Sequence, residues 1–264
     1  MNKEVFNKLF EFAKSKNDLL KNDENNKSLN IKGKHVEGVV DIVKKIYPNN
    51  KFLELCAYLH DIGRGLQFEK IKSFNDAKIS HNILGVEVFN KFLVQNDIKN
   101  NEEIDIIRNV ILYHGRLPFI KEKLDEKTFE IVHIITICDD IQNGCIDAIS
   151  YLEMEYKYDL KDYIKNNPLL DQKNISPEVI DSFKKGVNFD KVKHCTTYAE
   201  YFVYACSRAV NACKSEHSNI AKSIMKLENC NYKNTIIAYE ELFKKYVQEE
   251  YVEDCIKTLN EFCV

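Results

Sequence analysis

No tryptophan occurs in the chain, and only four prolines and eight glycines punctuate its 264 residues. So few breakers argue against a sandwich or barrel of many short strands, which needs glycine- and proline-rich turns at close intervals. The nine cysteines are odd in number and contain no C-x-x-C pair. A disulfide framework and a cysteine zinc ribbon are therefore not expected, and a reducing, cytoplasmic setting fits. No apolar run reaches the 18 or so residues that a membrane-spanning helix requires. The first stretch, "MNKEVFNKLFEFAKSKNDLL", is amphipathic and carries acids, unlike the apolar core of a signal peptide. Basic excess is also missing. The formal net charge is −3, which argues against a strongly basic nucleic-acid surface.

What is present is helical patterning. Leu, Ile, Lys and Glu dominate, and apolar residues recur at i, i+3, i+4 without any alternating strand pattern. This predicts an all-α fold, with helices near 3–20, 33–47, 50–62, 80–94, 101–114, 126–143, 176–186, 196–215, 217–228, 234–247 and 249–262. The Asn/Lys/Asp-rich patches 22–30, 95–103 and 165–174 read as loops. Ser176-Pro177-Glu178 has the form of an N-cap followed by proline in the first turn. The segment 155–175, rich in Tyr, Asp and Lys, is the expected joint. It would separate a front portion, 1–154, from a helical extension, 155–264, packed on it. Aromatic and apolar residues at helical spacing in "TTYAEYFVYACSRAVNAC" are expected to be core.

The sharpest feature is "LELCAYLHDIGRGLQFEKIKSFND", residues 53–76. An almost wholly apolar helix ends in His60-Asp61. Four other residues repeat the oddity. His35 sits in the first turn of "GKHVEGVVDIVKKIY" and His81 near the start of "SHNILGVEVFNKF". His114 closes "IDIIRNVILYHG", and Asp139 lies in "FEIVHIITICDDIQNG", apolar almost all round. Any one histidine is ordinarily a capping or satisfied core residue. Taken together, four imidazoles and two carboxylates on separate helices point to a metal site, because an isolated buried carboxylate is costly and a cation removes the cost. His133 is six residues before Asp139, about 240° away around the helix, and is not expected to share the site. His194 and His217 have no evident partners.

The ordered set His35, His60-Asp61 and Asp139 resembles the HD superfamily of metal-dependent phosphohydrolases. The run "HDIGR", a loop bearing Gln and Phe, "FND", then a histidine opening "HNILGVEVF", and later "YHGRLP" with "LDEK", resembles bacterial HD-domain proteins over about residues 30–145. The resemblance implies one metal held by His35, His60, Asp61 and Asp139. It implies a second held by His81 and His114, with Asp61 bridging. Two divalent transition ions (Fe, Mn, Zn, Ni or Co) suit such ligands. The last family motif is usually R-D-A-D-K, and "TICDD" stands here, without its arginine and lysine. Alignment selects Asp139 over Asp140.

The implied activity is hydrolysis of a phosphate ester or anhydride of a small molecule, a nucleotide or dinucleotide, by metal-activated water. Asp61 and Arg64 are the catalytic candidates. Arg64 is also a phosphate-gripping candidate, with Gln67, Asn75 and Asp76 on the loop after it and Arg116 just beyond His114. No "GYP" follows His114, which argues against a cyclic-dinucleotide hydrolase of that signature. A di-iron oxygenase of small organic substrates is the alternative chemistry on the same ligands. A helical signalling or scaffold module with a vestigial site is a third reading, although this chain keeps all six ligands. The amphipathic C-terminal helix permits a homodimer.

Overall fold

The computed structural model describes residues 1–23, 26–72, 78–115, 122–142, 173–186, 197–214, 218–226, 240–241, 243–245 and 247–263. Among these the fold is all-α, with no strand. The helices are α1 (Lys3–Lys21), α2 (Lys27–Ile46), α3 (Lys51–Leu59), α4 (Arg64–Ile71), α5 (His81–Gln95), α6 (Glu102–Tyr113) and α7 (Glu126–Ile141). They are followed by α8 (Pro177–Lys185), α9 (Tyr198–Lys214), α10 (Ser218–Met225) and α11 (Glu249–Cys263). The chain divides into two compact units, Met1–Asp139 and Asp140–Val264, with the break in the last turn of α7.

Asparagine does much of the punctuation. Asn2, Asn26, Asn50 and Asn101 each accept a hydrogen bond from the first-turn backbone of α1, α2, α3 and α6, respectively. Asp125 does so for α7, accepting from Thr128 N at 3.0 Å. The short polar side chain satisfies N–H groups that have no intrahelical acceptor. Because Asn26 is such a cap, α2 begins inside the patch 22–30 that reads as a loop in the sequence. A second difference is α4, in a stretch whose glycines read as loop in the sequence. Gly63 and Gly65 look like breakers, yet "RGLQFEKI" otherwise holds good helix formers and closes at Lys72 in the left-handed conformation (φ 51°).

In the first unit α3 is the central element. Every residue from Leu53 to Leu59 is buried, with Leu55, Cys56, Ala57 and Leu59 wholly so. Helices α1, α2 and α6 pack around it, and α5 packs on α4 and α6. Its one acid, Glu54, is 5% exposed and is paired with Lys51 (2.7 Å) and Lys44 (3.4 Å). Two glycines set the tightest approach. A Cβ on Gly63 would lie 2.0 Å from the His81 carbonyl oxygen and 2.5 Å from Gly85 N, and one on Gly85 would lie 2.7 Å from Ile111 Cγ2. The turn after α3 and the start of α5 therefore meet backbone to backbone, and the Ile111 side chain of α6 packs directly against the α5 backbone at Gly85. Residues 60–61, 81 and 114 lie at that junction.

In the second unit α9 packs against α8, α10 and α11. Its Ala199, Phe202, Val203, Cys206 and Val210 are buried, and Phe202 stacks edge-on against Phe243 at 5.0 Å. Ser176 occupies the cap position of α8 with Pro177 in the first turn, but its hydroxyl makes no cap bond. Glu200 instead accepts from Ser176 N at 2.8 Å. No helix among the described residues is long and apolar enough to cross a membrane.

Candidate metal centre

Each of the six polar residues is carried by a different position of the bundle. His35 projects from α2, His60 caps the C-terminus of α3, and Asp61 follows in the turn. His81 opens α5, His114 caps α6, and Asp139 lies in the last turns of α7. None is more than 6% exposed. The structure brings all six together. His35 Nε2 lies 2.9 Å from Asp139 Oδ1. Asp61 Oδ2 is 3.9 Å from the Nε2 atoms of both His35 and His60. Asp61 Oδ1 faces the other way, 3.0 Å from His81 Nε2 and 3.4 Å from His114 Nε2. One carboxylate thus stands between two sets of imidazoles.

The backbone fixes the tautomers. His60 Nδ1 is 2.7 Å from the Ala57 carbonyl oxygen, so it carries the proton and donates. That leaves Nε2 as a lone-pair donor, buried and without a hydrogen-bond partner among the described residues. His114 Nδ1 lies 3.1 Å from the carbonyls of Val110 and Ile111 and is likewise protonated there. The rings of His60 and His114 are 5.0 Å apart, and those of His81 and His114 are 5.2 Å apart. Imidazoles so close together and so buried cannot all carry charge. At His60 and His114 an Nδ1 held from behind by a carbonyl leaves Nε2 aimed inward, which is what a metal-ligating histidine requires. His35, His60 and Asp139 form one group, and His60, Asp61 and His114 another, whose ligand atoms all lie within 4.8 Å of one another. The residues present fit a metal.

The electrostatics agree. Burial pushes His60 down to about 4, so it is neutral at pH 7. Burial would raise Asp61, but Arg64, His81 and His114 together hold it well below the usual carboxylate range. Burial disfavours charge on His114, yet the hydrogen bond and charge of Asp61 raise it. These shifts set the acid stability of the metal-free protein. Unfolded His60 takes up a proton below about 6.5 and the folded residue refuses it down to about 4. His114, raised, already contributes fully below 6.5. The metal-free protein is therefore expected to lose stability as pH falls from 6.5 toward 4. A thermal melting point unchanged over that window would contradict the assignment.

Arg64 and Gln67 fall beside the cluster. A tight turn, not a continuation of α3, brings Arg64 back, with its N–H donating to the Asp61 carbonyl at 2.9 Å. Its side chain is 10% exposed. Nε donates to Asp61 Oδ1 (3.2 Å) and Nη1 to Gln67 Oε1 (3.0 Å). Gln67 is buried on α4 rather than in a loop, and its Nε2 donates to the Ile79 carbonyl at 2.7 Å. Asn75, Asp76 and Arg116 lie outside the described residues, as do His194 and His217. Asp140, a step of about 100° from Asp139, turns into the second unit and is gripped by Arg208 Nε and Nη2, both at 2.7 Å. His133 packs on Phe129, with ring centroids 5.4 Å apart.

Two supporting residues escaped the sequence reading. Asn82, 3% exposed, donates through Nδ2 to the Ile111 carbonyl at 2.9 Å and ties α5 to the last turn of α6. Thr136 Oγ1 accepts from Gly115 N at 3.3 Å, joining the residue after His114 to α7. Neither has a sequence signal. Each looks like an ordinary polar residue on an amphipathic helix until the neighbouring helix is known.

A helical bundle that buries four imidazoles and two carboxylates around one shared carboxylate belongs to the class of helical metal-centre folds. Residues 33–144 match the family model of the HD domain, and this part of the chain belongs to the HD-domain superfamily. The match encloses all six cluster residues and leaves α1 and the chain beyond 144 outside it. HD-domain proteins are in general metal-dependent hydrolases that bind divalent cations. No curated protein and no solved structure gives a significant match to the chain.

Proposed function

We propose that the protein is a binuclear metal-dependent phosphohydrolase acting on a small phosphorylated molecule, a nucleotide or dinucleotide. The observation that carries this reading is the division of Asp61, with Oδ2 toward His35 and His60 and Oδ1 toward His81 and His114. In it, His35, His60, Asp61 and Asp139 hold one divalent transition ion, and Asp61, His81 and His114 hold the second. Mixed imidazole and carboxylate ligands favour Fe, Mn, Zn, Ni or Co. Bound there, such ions supply Lewis acidity, lowering the pKa of water and polarising a phosphoryl oxygen. The chain's own part is positioning. Arg64 orients the Asp61 carboxylate, Gln67 holds Arg64, and the other face of the guanidinium is the nearest cationic group for a substrate phosphate.

The test is metal analysis of the purified protein, then phosphate release in anaerobic buffer from nucleotides, dinucleotides and sugar phosphates. Oxygen consumption with an iron-loaded protein that releases no phosphate would instead support the oxygenase chemistry. A specific consequence concerns His81, whose only role in this reading is at the second ion. His81→Ala is expected to lower bound metal from two equivalents toward one, with an unchanged helical circular-dichroism signal. Two equivalents retained in that variant would remove the second-metal assignment.

A further inference from the structure

The two halves of the centre are unequal in charge. Asp139 belongs to the first half, with Oδ1 2.9 Å from His35 Nε2 and 3.9 Å from His60 Nε2. The second half is built on Asp61 Oδ1, 3.0 Å from His81 Nε2 and 3.4 Å from His114 Nε2. That same oxygen already carries a cation, because Arg64 Nε donates to it at 3.2 Å. Among the groups that hold Asp61 ionised against burial, Arg64 acts most strongly. The guanidinium is fixed in place. Its Nη1 donates to Gln67 Oε1 at 3.0 Å, and Gln67, wholly buried, donates in turn to the Ile79 carbonyl at 2.7 Å.

We propose that Arg64 makes the second ion the weakly held, exchangeable member of the pair, by engaging the Asp61 oxygen on which that ion depends. The proposal rests on the two-ion assignment within the phosphohydrolase reading and adds to it a control by metal supply. The first half offers an ion two carboxylates, Asp139 and Asp61. The second offers one, shared with the first half and bonded to a guanidinium. Two cations on one oxygen repel, and the repulsion is stronger in a buried site than in water. Arginine does not escape it by giving up its proton. With the second ion absent, Arg64 supplies the opposite charge that a buried carboxylate needs, so the one-ion protein is a stable resting form. The pair is completed only when free metal is plentiful. A group that merely orients a ligand acts in the opposite sense, since its loss weakens metal binding, by ~10–100-fold. The sign of the change on removing Arg64 therefore separates the two roles.

The experiment titrates the metal-free wild-type protein, Arg64→Gln, Arg64→Lys and Gln67→Glu with Mn²⁺. Electron paramagnetic resonance counts the free ion and follows the exchange-coupled signal of the filled pair. Circular dichroism and melting curves are recorded for each protein. The wild type is expected to bind Mn²⁺ in two steps, the second about tenfold or more weaker than the first. Arg64→Gln is expected to tighten the second step about tenfold and leave the first unchanged. Arg64→Lys keeps the charge and is expected to keep the weak second step. Gln67→Glu keeps the arginine but sets a carboxylate against it, and is expected to tighten the second step as well. It keeps the proposal testable should Arg64→Gln fail to fold. Two steps whose second is unchanged or weaker in the folded variants Arg64→Gln and Gln67→Glu would overturn the proposal and leave the two-ion centre standing. A single step in the wild type, up to millimolar Mn²⁺, would remove the second ion and the proposal together. The expected shifts without phosphate release from the loaded wild type would uphold the proposal and remove the hydrolase reading.

Discussion

Replacing Gly63 by alanine is expected to strip metal from the centre, although Gly63 offers no ligand atom. The added methyl would sit 2.0 Å from the His81 carbonyl oxygen, 2.5 Å from Gly85 N and 2.9 Å from Gly85 Cα. All three are backbone atoms of the first turns of α5, so no side chain can swing aside. Relief requires α5 to move by more than an ångström. On its other side α5 is held at Gly85 by Ile111, and Asn82 ties it to the Ile111 carbonyl. The movement must therefore loosen the contact in which His81 Nε2 lies 3.0 Å from Asp61 Oδ1. Overpacking of this kind costs typically 1–3 kcal/mol, and more where backbone is struck. At ~2–4 °C per kcal/mol for a chain of this size, the melting point is expected to fall by several degrees. Bound metal is expected to fall at least as far as in His81→Ala. A Gly63→Ala protein with full metal and an unchanged melting curve would show that the close approach at Gly63 does not hold the site.

Gly63 also shows where a sequence reading runs out. A glycine after a helix reads as a terminator, and α3 does end shortly before it, at Leu59. Its larger role, letting the turn after α3 and the backbone of α5 touch, depends on α5 packing there, which periodicity along the chain cannot reveal. The same blindness hid α4, since two glycines around Arg64 outweighed the helix formers that follow, and so left Gln67 in a loop. The all-α class was legible because 3.6-residue periodicity is a local signal. The six cluster residues were legible for a different reason. A histidine or aspartate at the end of an apolar helix conflicts with its surroundings, and such conflicts mark functional positions. Asn82 and Thr136 raise no such conflict. Each is a polar residue on an amphipathic helix, and its burial follows only from what packs over it.

The second large effect is expected at Asp61. Asp61→Asn keeps the shape of the side chain and one oxygen but removes the charge around which the cluster is arranged. Asp61 is held ionised by Arg64, His81 and His114 against the cost of burial, so the charged form is the native one. Its two oxygens face different imidazoles, and an amide nitrogen in place of either oxygen turns a lone pair into a donor. Supporting residues around metal ligands already cost ~10–100-fold in affinity when changed. Loss of a carboxylate shared by both halves of the cluster is expected to exceed that, leaving less than one equivalent of metal and no measurable phosphate release. Asparagine is the right substitution because its carbonyl can still accept from Arg64, whereas alanine would remove the carboxylate partner of a buried guanidinium, at ~3–5 kcal/mol. Asp140→Asn is the matched control. It changes the same chemistry at a buried position beside Asp139, but its carboxylate is gripped by Arg208. That variant is expected to lose some stability and keep its metal. Equal metal loss in Asp61→Asn and Asp140→Asn would mean that binding follows general stability, and the divided carboxylate would no longer explain the centre.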